Sequence, residues 1–200
     1  MSMNRTALVV GLVLLTFSLV SLADDIVRTT ANNGNLVMED VPEIPESLVE
    51  TLNRYQNVRS AGLTGWTEDG TGIYVSTRFG DLNQLHRVDM PGGARHQLTF
   101  FNEPVYGATR QPGGSQLIFT RDAGGNEFAQ LFALDPATGD ARMLSDGESR
   151  NGAVVWDRQG RRIAYQSTLR NGASNDVWTM DPEDPGSAEI AVSYTHLTLP

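Results

Sequence analysis

One interval dominates this sequence. Asp89, Asp135 and Asp181 stand 46 and 46 residues apart, and each closes a short apolar stretch, QLHRVD, QLFALD or NDVWTMD. Upstream of each lies a second matched stretch: TEDGTGIYVSTR (67–78), RQPGGSQLIFTR (110–121) and DRQGRRIAYQST (157–168). Gly70, Gly113 and Gly160 occupy what read as matching turn places, with Trp66 and Trp156 four residues before the first and third. Nine residues beyond each aspartate comes an apolar residue, Leu98, Leu144 or Ile190. A chain built this way is a series of equivalent units, each too small to bury its own apolar face alone.

The units read as β-structure. Ile73-Tyr-Val, Leu117-Ile-Phe and Ile163-Ala-Tyr are β-rich triplets entered through tight Gly-containing turns. The next strand spaces its apolar residues as a strand does, and is stopped by Asp-Pro or Asp-Met-Pro, where proline removes a ladder donor. Four short strands at a period of 40–50 residues is the layout of a β-propeller blade. Helical repeats of similar period are disfavoured by the strand spacing and by the recurring glycines. The expected fold is therefore all-β, a partial propeller of about three four-stranded blades spanning 59–101, 102–148 and 149–191. Trp66, Trp156 and Trp178 read as blade core.

Propellers close into rings of four to eight blades. Three blades leave two blade faces bare, and apolar burial at roughly 25 cal/mol per Å² makes that loss large against a net stability of about 5–15 kcal/mol. The expectation is a chain cut short after its third blade. The tail 192–200, VSYTHLTLP, departs from the repeat and reads as an artefact of a sequence fragment's edge, so Tyr194 and His196 receive no role.

Before the repeats, Arg5, an apolar run from Ala7 to Val20 and small Ser21 and Ala23 follow the order of an export signal. The run is shorter than the roughly 20 residues of a membrane span. Cleavage after Ala23, a periplasmic or secreted location and no stable membrane span thereafter are expected. Residues 24–58 read as a lead-in: an aperiodic polar stretch, then a short helix with Pro45 at its first position and Leu48, Leu52 and Tyr55 on one packing face.

Composition narrows the chemistry. All fifteen basic residues are arginine and the formal charge is −9. Without lysine there is no Walker phosphate loop, Schiff-base lysine or Ser-Lys dyad. Without a basic run, nucleic acid is not an expected partner. Without cysteine there is no disulfide framework, thiolate zinc site or lipid-anchored cysteine.

The units resemble the propeller repeats shared by TolB and by the prolyl oligopeptidase family of serine peptidases. Residues 65–101 look like the opening blade of exported bacterial peptidases. RDAGGNEFAQLFALD (121–135) is similar to a second-blade hairpin of acylaminoacyl-peptidase-like and dipeptidyl-peptidase-like relatives. The resemblance implies a propeller that caps and gates a C-terminal α/β-hydrolase domain acting on oligopeptides, with its nucleophile in a G-x-S-x-G elbow. That elbow is absent here. Gly113-Gly-Ser115 lacks the closing glycine, and His86 falls in a strand place taken by Phe132 and Trp178. No catalytic, cofactor-binding or metal-ligating residue is assigned. Asp122, Asn126 and Glu127 gather oxygens near two glycines but lack the spacing of an EF-hand loop, so a hairpin turn is expected. Arg78 and Arg121, read as equivalent strand ends, could face substrate carboxylates or pair with acidic neighbours. The alternative function is a non-enzymatic TolB-like periplasmic binding or scaffold propeller. The lead-in leaves too little chain for the separate domain that TolB carries before its blades.

Overall fold

The computed structural model describes residues 26–193. The export signal expected over residues 1–23 and residues 194–200 of the tail lie outside the described residues. Three four-stranded antiparallel sheets follow one another, each with its strands side by side in chain order. The first holds β3 (Gly62–Trp66), β4 (Ile73–Thr77), β5 (Gln84–Val88) and β6 (Arg95–Gln97). The second holds β7 (Tyr106–Arg110), β8 (Leu117–Arg121), β9 (Gln130–Leu134) and β10 (Ala141–Met143). The third holds β11 (Asn151–Trp156), β12 (Ile163–Ser167), β13 (Asp176–Asp181) and β14 (Asp184–Val192). Because successive side chains of a strand point to opposite faces, each middle strand serves two interfaces. Leu117 and Phe119 pack with Phe132 and Leu134 against Tyr74 and Leu85 of the first sheet. Ile118, between them in sequence, packs with Leu131 and Ala133 against Ile163, Tyr165 and Met180 of the third. Burial on both faces is why β8 and β9 are continuously apolar rather than alternating.

A second framework is polar. Gln84 opens β5 and is buried. Its carboxamide oxygen accepts from the Thr99 hydroxyl (2.7 Å) and the Phe101 N–H (3.2 Å). Its nitrogen donates to the carbonyls of Phe101 and Glu103, both at 3.1 Å. Gln130 repeats the device at the start of β9. Its oxygen accepts from Ser145 Oγ (2.7 Å) and Gly147 N–H (3.0 Å), and its nitrogen donates to the carbonyls of Phe128 (2.9 Å) and Ser149 (2.7 Å). Each hydroxyl in turn accepts the next backbone N–H, Leu85 or Leu131, at 3.0 Å. The clamp thereby ties the middle of a sheet to the crossover that starts the following one. In the third sheet the place belongs to Asp176, whose carboxylate pairs with Arg170.

Pairing registers revise several equivalences expected from sequence. Ile73, Leu117 and Ile163 face Val88, Leu134 and Met180, so Thr77, Arg121 and Ser167 are equivalent and Arg78 matches Asp122. Gly113 is displaced by one place as well. In the first and third turns Gly70 and Gly160 sit fourth, each donating its N–H to the first residue, Thr67 or Asp157. In the second turn Gly114 holds that fourth place, while Gly113 follows Pro112 at the third with φ +70°. That is the type II arrangement, which needs a left-handed third residue after proline. In the third sheet Val192, not Ile190, faces Val177, because two register shifts lengthen the β13–β14 hairpin.

The lead-in is more ordered at its start, and less packed at its end, than its sequence suggested. Arg28–Ala31 (β1) and Leu36–Glu39 (β2) form a hairpin across an Asn32–Gly34 turn. The helix α1 covers Glu46–Gln56, with Pro45 as its extended N-cap rather than its first helical residue. Leu48, Leu52 and Tyr55 are exposed, so the expected packing face is bare among the described residues. Among the tryptophans, Trp156 and Trp178 pack against the core between the second and third sheets. Trp66 is 60% exposed, contrary to the expectation of blade core, because no sheet of the described residues lies against its face.

Replacing Gln130 by alanine leaves the Ser145 hydroxyl and several backbone groups short of partners in a buried place. The expected loss is about 2–4 kcal/mol, read as a lower urea midpoint. Gln111→Ala, at a turn, is expected to cost much less.

Candidate functional site

The sheets end together where β4, β8 and β12 finish, and there the polar loops gather. A cleft of about 480 Å³ opens at this end, bounded by Asn32 and Asn33 of the lead-in hairpin, Glu103, Tyr106, Asp122 and Gly124. Arg121, the last residue of β8, reaches Glu103 from behind this lining. The Arg121 guanidinium pairs with Glu103 at 2.9 Å, with both side chains largely buried. It also lies 4.5 Å over the Phe101 ring and 4.7 Å over Phe132, which stacks on Phe119. Aromatic faces stabilise a desolvated cation, and the carboxylate completes its neutralisation. The other Glu103 oxygen accepts the Gly124 N–H at 3.3 Å. The charge pair thus holds the 122–129 loop in place.

The lead-in hairpin docks on that loop. Asn35 donates from its side chain to the carbonyls of Gly124 (3.0 Å) and Ala123 (3.3 Å). Gly124 has φ +60°, and a Cβ there would lie 2.7 Å from the Asn32 carbonyl oxygen and 3.0 Å from the Asn33 and Asn35 side-chain nitrogens. Glycine is therefore needed twice over, for its conformation and for the close approach.

The residues singled out from sequence are placed as follows. Asp122 is buried and accepts the Glu127 N–H at 3.1 Å, while Asn126 accepts the Phe128 N–H at 3.0 Å. These oxygens shape the hairpin turn. Burial, and then the Asp122 charge, raise the Tyr106 hydroxyl above its ordinary pKa. Arg121 pairs with an acidic neighbour, whereas Arg78 has no ion pair among the described residues. It donates to the carbonyls of Gln56 (3.0 Å), Val58 (3.2 Å) and Asp81 (3.3 Å), fastening the end of α1 to the first sheet. His86 is fully buried, with Nδ1 3.0 Å from the Gln84 carbonyl, Phe79 edge-on at 4.8 Å and, among the described residues, no partner for Nε2. His96 is exposed beside Asp89 at 3.7 Å. Ser115 lies in the turn after β7, at the opposite end from the cleft. Sequence reasoning did not find Glu103 or the hairpin's asparagines. No repeat position marks them, since the lead-in stands outside the repeat. What the cleft offers is an acidic and amide surface suited to binding polar, hydrogen-bonding groups.

Gly124→Ala is expected to release the hairpin while leaving the sheets folded, with a local cost of about 1–2 kcal/mol. Faster hydrogen exchange across 28–39 with an unchanged global midpoint is the expected reading. His86 supplies a pH test. Desolvation, chiefly, holds its folded pKa below the ordinary 6.5, partly opposed by the Gln84 carbonyl and reinforced by the Arg95 charge. A depressed histidine binds fewer protons folded than unfolded, so its stabilising contribution is fully present above pH 6.5 and is lost as pH falls from there through the lower folded value. His86→Phe, copying Phe132, is expected to flatten the loss of stability between neutral and mildly acidic pH in denaturant titrations.

No protein-family profile matches the sequence, and no curated protein does. Solved structures do. TolB from Acinetobacter baumannii matches 80% of this chain and 35% of its own, at 16% identity and a TM-score of 0.54. Puromycin hydrolase matches 70% of this chain and 22% of its own, at 19% identity and a TM-score of 0.53. An oligogalacturonate lyase from Vibrio parahaemolyticus matches 84% of this chain and 46% of its own, at 12% identity and a TM-score of 0.51. The chain spans less than half the length of each of these structures. At such identities the likeness is one of fold, and the chain is a run of β-propeller blades preceded by a lead-in.

Proposed function

We propose that this chain is the propeller part of an exported serine peptidase, capping and gating an α/β-hydrolase domain that acts on oligopeptides. The observation that carries the reading is the cleft at the blade ends with the lead-in hairpin strapped across it. Such a surface narrows an opening to short, polar, extended ligands without performing chemistry. The fold-level match to puromycin hydrolase supports it, since this chain corresponds to under a quarter of that protein's length. The serine nucleophile, its aspartate and its histidine would belong to the other domain. A TolB-like binding propeller is the second reading, supported by the match to TolB. The described residues before the first sheet form one hairpin and one helix. An export signal at residues 1–23 fits both readings, with a mature N-terminus at Asp24 in the periplasm or outside the cell as part of the proposal.

The test is to express the full reading frame at this locus and treat it with a fluorophosphonate probe. The expected result is a labelled serine within a downstream G-x-S-x-G elbow, together with hydrolysis of short peptides but not of folded proteins. A frame that completes its blades without such an elbow, or one that resists labelling, overturns the peptidase reading.

A further inference from the structure

Three Asn-Gly pairs occur in the chain, at 33–34, 151–152 and 171–172. Asparagine followed by glycine is open to one spontaneous reaction. The backbone nitrogen of the glycine attacks the asparagine side-chain carbonyl carbon, closing a five-membered succinimide. The side-chain nitrogen leaves as ammonia, carrying the proton that the backbone nitrogen loses. Water then opens the ring at either carbonyl, leaving aspartate or isoaspartate. No oxidant, reductant or enzyme is needed, only a free side-chain amide and a backbone able to bend toward it.

The three pairs differ sharply in that freedom. Asn151 is 6% exposed, and its side-chain nitrogen donates to the carbonyls of Ser149 (2.9 Å) and Ala129 (3.1 Å) and to Gln130 Oε1 (3.3 Å). Gly152 beside it is paired in β11 with Gln166. Asn171 is exposed but engaged. Its oxygen accepts the N–H groups of Ser174 (2.8 Å) and Ala173 (3.1 Å), and the attacking Gly172 nitrogen donates to the Thr168 carbonyl at 2.7 Å. Asn33 is exposed at the tip of the lead-in hairpin, in a left-handed conformation with φ 55°, and its side chain makes no hydrogen bond among the described residues. The hairpin beneath it has four residue pairs and no buried side chain, so it opens locally at little cost.

We propose that Asn33 is a spontaneous deamidation site whose conversion unfastens the hairpin from the cleft. The Asn33 side-chain nitrogen lies 3.0 Å from where a Cβ on Gly124 would sit, so the tip is closely fitted to the 122–129 loop. Conversion replaces that neutral amide by a carboxylate in a cleft already bounded by Glu103 and Asp122. Isoaspartate also adds a backbone methylene where the fit is closest. Both changes act against docking: like charges repel, and the lengthened turn no longer presents Asn35 to the Ala123 and Gly124 carbonyls. The cleft is then open in aged molecules and strapped in new ones.

Ageing the 200-residue chain in mildly alkaline buffer, with peptide mapping by mass spectrometry at intervals, tests this directly. In the native protein Asn33 is expected to convert about tenfold faster than Asn151 or Asn171, whereas in denaturant the three rates converge. Hydrogen exchange at Ala123–Gly125 should rise in step with the converted fraction. Asn33→Asp should show the raised exchange from the outset, and Asn33→Gln, which cannot close the five-membered ring, should keep the protection on ageing. Comparable rates at the three sites in native buffer, earlier conversion of Asn151 or Asn171, or conversion with unchanged exchange at Gly124 would each overturn the proposal.

Discussion

The carboxamide of a buried glutamine has two donors and an acceptor that water can no longer satisfy, and in this protein every one must be answered by the chain itself. Gln84 and Gln130 are answered in the same way, by a hydroxyl and an N–H on one side and two carbonyls on the other. Apart from the Phe128 carbonyl, which belongs to the β8–β9 hairpin, those partners lie in the stretch that leaves one sheet and begins the next. The apolar faces could slide over one another with modest loss, since dispersion and hydrophobic burial are not directional. The amides cannot, because their partners must meet them within a few tenths of an ångström. Apolar burial brings the sheets together, and the amides set where each stands.

From that placement the site follows. The second clamp and the Phe119–Phe132 stack determine where β8 ends, and hence where Arg121 emerges. Arg121 meets Glu103, which lies in the crossover gripped by Gln84. Glu103 positions Gly124, and Gly124 receives the hairpin. The lead-in is thus connected to the core by a chain of specific polar contacts although almost none of its own surface is buried. The hairpin is held by geometry rather than by area, so a change of one atom or one charge at its tip matters.

The repeat and the strand order were legible in the sequence because period-two apolar spacing and turn residues are local signals. The reading went astray where one residue's displacement looked the same in sequence as in register. Gly113 resembles Gly70 and Gly160, yet a proline before it makes a different turn. Arg78 resembles Arg121, yet the pairing registers make it the equivalent of Asp122. At the equivalent third place Asp176 pairs with Arg170 of its own hairpin, so the amide-and-hydroxyl pattern does not recur there. Gln84 and Gln130 could have been found, since each precedes its hydroxyl partner by fifteen residues. The cleft could not, because the lead-in shares no period with the blades. Trp66 shows a further limit. Its sequence place matches Trp156, but burial depends on a neighbour that no residue can announce by itself.

The direction of the two glutamine clamps bears on how the protein forms as well as how it stands. Each clamp uses atoms from its own sheet and from the crossover beyond it, never from the sheet before. A chain made N-terminus first therefore presents Gln84 before the carbonyls of Phe101 and Glu103 that complete it. The amide waits unsatisfied until the next stretch appears, and its closure defines the ground on which the second sheet is laid. Assembly has a built-in order, in which each sheet is finished by the arrival of its successor. A pause in synthesis between one crossover and the next would hold an incomplete clamp open to water.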